Sequence, residues 1–494
     1  MNFTSTRGKE NKKVSSAYAI KTGLASDGGL YMPESIPTLT KSDLNRLVPA
    51  TYEQRAAKIL SMFLTDYTYE ELLEDATGAY SKEKFPDTAA PVTKLDDSAY
   101  MLELWHGPTC AFKDMALQIM PRLFTRALRK CNETKDALIL VATSGDTGKA
   151  ALEGYRDIPG TKIKVFYPIS GVSRVQKLQM QTQEGNNVSV SGIVGNFDDA
   201  QSGVKEIFSN KSTAQKLEEA NVFLSSANSI NWGRLVPQIV YYVSAYCDML
   251  SSGAIKENEV IDVVVPTGNF GNIFACYIAK CMGLPIGKLV CASNSNNVLT
   301  DFLKTGVYDK NRYFHATVSP SMDILISSNL ERLLYIILGA EKTAEYMKAL
   351  SDTGRYELSA EELQKINETF VGYYASEENT LSTVKETFEN KNCLIDTHTA
   401  VAVYAKNRYC EEYKAERKIL VVSTASAYKF AYDVFSAIAG HKPADELSAL
   451  KELSNFTKTN IPYPLKDIAE RKIIHTSEIN KSDMENATLN FARS

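Results

Sequence analysis

The stretch that decides the fold reads ALILVAT at Ala137–Thr143, SGDTG at Ser144–Gly148 and KAALEGY at Lys149–Tyr155. A short, uninterrupted apolar run is what a strand buried on both faces requires. The small-residue loop lets the chain turn tightly, and the segment after it carries apolar residues at helical spacing. The triplet returns as IDVVV at Ile261–Val265, PTGNFGN at Pro266–Asn272 and a helix from Ile273. It returns again as ILVVS at Ile419–Ser423, TASA at Thr424–Ala427 and a helix carrying Lys429 and Phe430. IKVFY from Ile163 and KLVCA from Lys288 supply two further strands. Buried strands alternating with helices predict an α/β fold on a mostly parallel, doubly wound sheet. Such sheets bind ligands beyond the carboxyl ends of their strands, so the three loops are expected to face one crevice.

At 494 residues the chain exceeds what one growing core serves, and two or three domains are expected. Residues 1–95 are expected to form an N-terminal domain, with one amphipathic helix from Tyr52 to Tyr80. Residues 96–327 and 391–444 form the α/β core, 445–494 a polar tail over the surface. Between them, NLERLLYIILGA and SAEELQKINETFVGYYA predict a helical insertion over 328–390 with no strand. Hydrophobic residues at 44% and charged residues at 23% are ordinary globular usage. The net charge of -4 offers nucleic acid no basic footprint, and Lys9, Lys12 and Lys13 read as a solvated surface. Eight scattered cysteines, without a CxxC, read as reduced thiols of a cytoplasmic protein. The N-terminus lacks the apolar core of a signal peptide, and no apolar run approaches the ~18 residues of a membrane span. A soluble protein with no membrane partner is expected. Five histidines without an HExxH pattern argue against a metal site.

The chemistry begins at His106–Gln118, HGPTCAFKDMALQ, where Lys113 stands among Phe112, Met115, Ala116 and Leu117. Burial disfavours the charged form of a lysine, and the neutral amine is a nucleophile toward a carbonyl or pyridoxal phosphate (PLP). The other reading leaves Lys113 at a helix start with its head in water, the usual place for a lysine. PTGNFGN suits a phosphate, because glycines let backbone amides approach and the next helix presents its positive end. A plain strand-to-helix turn is the alternative there. SGDTGKA lacks the spacing of a nucleotide P-loop and has Ala150 where a magnesium ligand would stand. GxGxxG is absent too, which argues against a dinucleotide domain. Arg7 and Asp27 read as residues of a surface turn. A lysine, a phosphate cradle and a hydroxyl loop are parts that a PLP enzyme needs.

Five motifs in order, HGPTCAFKDMALQ, TSGDTGKAA at Thr143–Ala151, SINWGR at Ser229–Arg234, PTGNFGN and SPSMDI at Ser319–Ile324, carry a resemblance. Together they resemble the threonine synthases of the longer, bacterial and fungal branch, within the tryptophan synthase β-like, fold-type II PLP enzymes. STRG at Ser5–Gly8 and DGGLYMP at Asp27–Pro33 match the same branch. The resemblance implies two doubly wound, mostly parallel sheets flanking a cofactor crevice. It implies Lys113 as the Schiff-base lysine and Gly268, Asn269, Phe270, Gly271 and Asn272 as the cradle of the PLP phosphate. Thr424 matches the hydroxyl beside the pyridine nitrogen, and Asp146 stands where distant relatives place an asparagine near the 3-hydroxyl. Ser144, Gly145 and Thr147 match the loop around the substrate carboxylate. Ser229, Asn231 and Arg234 are the candidates for the substrate phosphate, since a guanidinium fork suits it; the alternative is an Asn cap followed by a surface arginine.

The implied reaction converts O-phospho-L-homoserine and water to L-threonine and phosphate. Where the family reads STAHPAKF, this chain reads Ser423, Thr424, Ala425, Ser426, Ala427, Tyr428, Lys429, Phe430, without the His-Pro pair. A phospho-lyase releasing 2-oxobutyrate, ammonia and phosphate therefore stays open, as does a PLP-binding protein without turnover.

Overall fold

The computed structural model describes residues 1–8 and 13–494, so Lys9 and Lys12 lie outside the described residues. Two sheets carry the fold. The first runs Phe370–Tyr374, Ile286–Ser293, Ile261–Pro266, Ile419–Ser423, Ala99–Glu103 and Val92–Lys94, and only the last pair is antiparallel. The second runs Ser477–Asn480, Val188–Val194, Thr161–Pro168, Asp136–Ala142 and Val222–Ser225, all parallel.

Alternation along the strands explains why helices cover both faces. Side chains on a strand point in turn to opposite sides. Val263 and Val265 enter one core with Leu289, Cys291 and the helix Gly271–Cys281. Val264 enters the other with Val290, Val421 and the helix Thr397–Tyr413. The first core continues into Ala137, Ile139 and Val141 of the second sheet, so one apolar layer joins the two. Apolar sequence on both faces is thus the local cause of the doubly wound architecture. The N-terminal segment is held on this layer by the buried Trp232, whose ring meets Phe3 edge-on at 5.4 Å and Phe63 at 5.7 Å.

Three expectations change. The Tyr52–Tyr80 segment is two helices, Tyr52–Phe63 and Tyr69–Ala79. Thr68 and Glu71 form a capping box that starts the second, because the threonine oxygen competes for the amides a continuing helix would use. Residues 328–390 are not purely helical: they contain the strands Arg355–Glu357 and Phe370–Tyr374, and the latter is the edge of the first sheet. The C-terminal residues 445–494 likewise supply Ser477–Asn480 to the edge of the second sheet. Both strands are short edge strands, exposed on one side, so neither needs the apolar run that marks a buried one. Among the described residues no helix is long and apolar enough to cross a membrane, and no group of three or more His, Cys, Asp or Glu could hold a metal.

Candidate functional site

Lys113 immediately precedes the short helix Asp114–Leu117, whose four residues are buried. The loop before it is laced to the loop after Ile419–Ser423. Phe112 N–H donates to the Thr424 carbonyl at 2.8 Å, Ser426 N–H donates to the Cys110 carbonyl at 3.1 Å, and Ala111 pairs with Ala425. These contacts run through the backbone, which leaves the Thr424 hydroxyl out of them. Lys113 does sit at a helix start, yet only 11% of its side chain is exposed. Its Nζ lies 3.3 Å from Asp146 Oδ2 and 3.3 Å from Ser321 Oγ, with the Phe112 ring centroid 5.2 Å away. Burial pushes this ammonium below the ordinary lysine value; Asp146 opposes that, and Lys429 adds to it.

Asp146 begins the helix Asp146–Tyr155 and is buried. Its Oδ1 accepts from Gln176 Nε2 at 2.7 Å and faces Lys429 Nζ at 2.8 Å; its Oδ2 accepts from Ser321 Oγ at 2.9 Å. Burial opposes ionisation here, but Lys429 and Lys113 hold the carboxyl well below the usual carboxylate range. The Gln176 contact requires glycine at 145. Gly145 has φ of 145°, and a Cβ there would lie 2.6 Å from the Gln176 carboxamide. Thr143 Oγ1 accepts the amides of Gly145 at 3.0 Å and Gly148 at 2.9 Å, which fixes the loop; Ser144 is exposed and Thr147 half-buried at its rim.

The segment Gly268–Asn272 is pinned through its carbonyls. Ser327 Oγ donates to the Gly268 carbonyl at 2.7 Å, and Asn329 donates its backbone N–H and Nδ2 to the Asn269 carbonyl, each at 3.0 Å. Phe270 adopts the left-handed conformation, φ 64°, just before the helix Gly271–Cys281. The first amides of a helix have no intrahelical acceptor, so those of Gly271 and Asn272 are left for an anion. Asn272 Nδ2 itself returns to the Pro266 carbonyl at 2.9 Å. Gly268 also stands close to the turn Pro320–Met322, because a Cβ there would be 3.2 Å from the Ser321 carbonyl. The anchor, the SGDTG loop, the GNFGN loop and the Thr424 loop therefore converge on Ser321 and Asp146.

The SINWGR residues divide. Asn231 caps the helix Trp232–Ser251, with Oδ1 accepting Gly233 N–H at 2.8 Å and Nδ2 donating to the Ile20 carbonyl at 2.8 Å, so its amide is occupied at both ends. Ser229 is half-buried, its hydroxyl near Asn228 Oδ1 at 3.4 Å. Arg234 is not the surface arginine of the alternative reading. It is buried, Nη1 donates to the Ala227 carbonyl at 2.7 Å, and Nε meets no protein acceptor. Burial pushes its guanidinium down to about 10, and its charge is felt at Lys113.

Four residues escaped the motifs as chemistry. Ser321 lay inside SPSMDI without a role. Lys429 and Gln176 come from elements remote in sequence. His398 Nε2 accepts the Ser321 N–H at 3.1 Å and its Nδ1 donates to Asp396 Oδ2 at 2.7 Å, an arrangement that sets its tautomer.

These groups fit a phosphorylated pyridine aldehyde: an amine of lowered basicity, a cradle of free helix-end amides and an uncommitted hydroxyl across the crevice. The comparisons agree. The family model described as "Pyridoxal-phosphate dependent enzyme" matches residues 90–425, and "Threonine synthase N terminus" matches residues 2–80. Threonine synthase of Pseudomonas aeruginosa is 37% identical over 90% of this chain and 92% of its own length. The chain belongs to the threonine synthase family. The PLP-bound threonine synthase structure from Brucella melitensis superposes with a TM-score of 0.89, at 33% identity, over 100% of both chains. Human "Threonine synthase-like 1" is 40% identical over 86% of this chain, but the chain spans only 59% of that protein. Threonine synthase family membership also accounts for the two-sheet architecture and the PLP-dependent character of the fold.

Proposed function

We propose that the protein converts O-phospho-L-homoserine and water to L-threonine and phosphate, with PLP anchored on Lys113. The observation that carries this reading is Arg234: a buried guanidinium with an unpartnered Nε, whose charge is felt at Lys113. A buried cation without a carboxylate calls for an anionic ligand, and a guanidinium matches a phosphate by its fork of donors. A second anion position, the amides of Gly268–Asn272, suits the cofactor phosphate. One crevice thus holds two separate anions around one lysine, as a phosphorylated amino acid on a phosphorylated cofactor needs.

When bound, PLP supplies the electron sink for negative charge developing on the substrate. The protein's own part is proton handling and positioning. Lys113 Nζ, kept partly neutral by burial, takes the proton from the substrate Cα and then from Cβ, and protons are returned at Cγ, as the phosphate leaves, and finally at Cα, while water supplies the hydroxyl at Cβ and its remaining proton goes to the phosphate. Ser144, Gly145 and Thr147 hold the carboxylate, and Arg234 with Ser229 holds the phosphate until it leaves, so the substrate stays aligned with Nζ. Asp146 and Thr424 would hold the cofactor ring, the first by bonding to its 3-hydroxyl and the second through its pyridine nitrogen. Asn231 serves this site indirectly, as the cap that places Arg234.

Incubation with O-phosphohomoserine, with phosphate, threonine and 2-oxobutyrate assayed together, tests the reading. Equal release of threonine and phosphate is expected. The missing His-Pro pair gives the phospho-lyase a specific footing, because Ser426 is used as a cap, accepting Tyr428 N–H at 3.3 Å. Oxobutyrate in place of threonine would establish that alternative, and no phosphate release would leave a binding protein.

A further inference from the structure

We propose that Lys429 is the electrostatic positioning residue of the site: its ammonium pins one oxygen of Asp146, so Lys113 faces a carboxylate already balanced and releases its proton more readily. The inference rests on Lys113 being the cofactor anchor. Lys429 is 0% exposed at its side chain, and its Nζ lies 2.8 Å from Asp146 Oδ1 and donates to the Thr109 carbonyl at 2.8 Å. Thr109 in turn donates its N–H and its hydroxyl to Asp114, each at 2.8 Å. One buried ammonium therefore ties the turn Ala427–Phe430 to the anchor loop and to the helix Asp146–Tyr155. A lysine so buried is unusual, and it persists only with a paired carboxylate.

The charges around Lys113 come from every neighbouring element. The helix Asp146–Tyr155 presents Asp146, the turn Ala427–Phe430 presents Lys429, the helix Trp232–Ser251 presents Arg234, and the turn Pro320–Met322 offers the Ser321 hydroxyl. On its own segment, Asp114 is turned away to Thr109 and Gln118, and His398 faces the Ser321 backbone, with Nε2 accepting the Ser321 N–H. Before Lys113 is counted, two cations stand against one facing carboxylate. Removing Lys429 leaves Asp146 to attract the Lys113 proton alone, apart from the more distant Arg234.

The test uses PLP itself and no substrate. Apoprotein is mixed with PLP across a pH range, attachment is followed by visible absorbance, and borohydride reduction with peptide mass locates the labelled lysine. Lys429→Met is expected to raise the midpoint of attachment by about one pH unit, roughly tenfold slower uptake below it. Lys429→Arg should stay near the wild type. If Lys429→Met folds poorly, Lys429→Gln carries the comparison, because its amide can still donate to Asp146 and to the Thr109 carbonyl while the charge is gone; it too should raise the midpoint. An unchanged midpoint with the label still on Lys113 overturns the inference and spares the anchor. A label on another lysine overturns both.

Discussion

Lys113 and Asp146 meet at a single carboxylate oxygen, Nζ to Oδ2 at 3.3 Å, while the other oxygen belongs to Gln176 and Lys429. Asp146 is thus the carboxylate that favours a proton on Lys113 against burial, beside the Ser321 hydroxyl that accepts from the same ammonium. Asp146→Asn should therefore move the pH midpoint of PLP attachment to lower pH. It should also cost about 3–5 kcal/mol of stability, since it leaves Lys429 buried without a counter-charge. A pH profile and a thermal melt check both; a midpoint displaced upward would refute the assignment.

Lys113→Ala removes the proposed anchor and proton carrier together. Without added amine the variant should show no visible band from lysine-bound cofactor. Turnover should fall by about 10³-fold or more, within the range of a lost general base combined with a lost covalent step. Spectra and phosphate release measured on one preparation separate this from simple unfolding.

Arg234→Met tests the anion site without demanding turnover. With PLP filling the cradle at Gly268–Asn272 in both proteins, inorganic phosphate should raise the melting temperature of the wild type, with about 2.7 kcal/mol gained at a hundredfold excess over its dissociation constant. The variant should show no phosphate-dependent shift. Its own stability should change little or rise, because a buried, incompletely bonded cation has been exchanged for an apolar chain. An equal phosphate response in both proteins would place the anion elsewhere.

Asp114 sets a pH dependence of stability. Burial pushes its carboxyl from 3.8 up to about 6, against the hydrogen bonds from Thr109. A folded value above the unfolded one means the native state holds a proton that the unfolded chain has lost. Stability from this group is thus present below about pH 4 and declines as pH rises to about 6, by roughly 3 kcal/mol. Unfolding measured across that window should show the decline in the wild type and a flatter line in Asp114→Asn.

How much of this was legible beforehand follows from where each signal lives. Asp136–Ala142, Ile261–Pro266 and Ile419–Ser423 announce themselves because strands buried on both faces must be apolar throughout. The loops after them follow from the chain's need to turn, and Lys113 stood out against the apolar residues beside it. These are local properties, and the sequence alone determined the sheet class and the loop positions and made Lys113 a candidate for the anchor. The edge strands Phe370–Tyr374 and Ser477–Asn480 were decided by pairing partners remote in sequence. The same holds for the electrostatics. Lys429 is 316 residues from Lys113 along the chain and Ser321 is 208 away; nothing near either one signals a shared carboxylate. Charge–charge energy depends on separation in space and on exclusion of water, and only the folded packing sets those two quantities. Tertiary structure therefore decided which of SINWGR's residues stayed free to meet an anion, and which lysine balances Asp146.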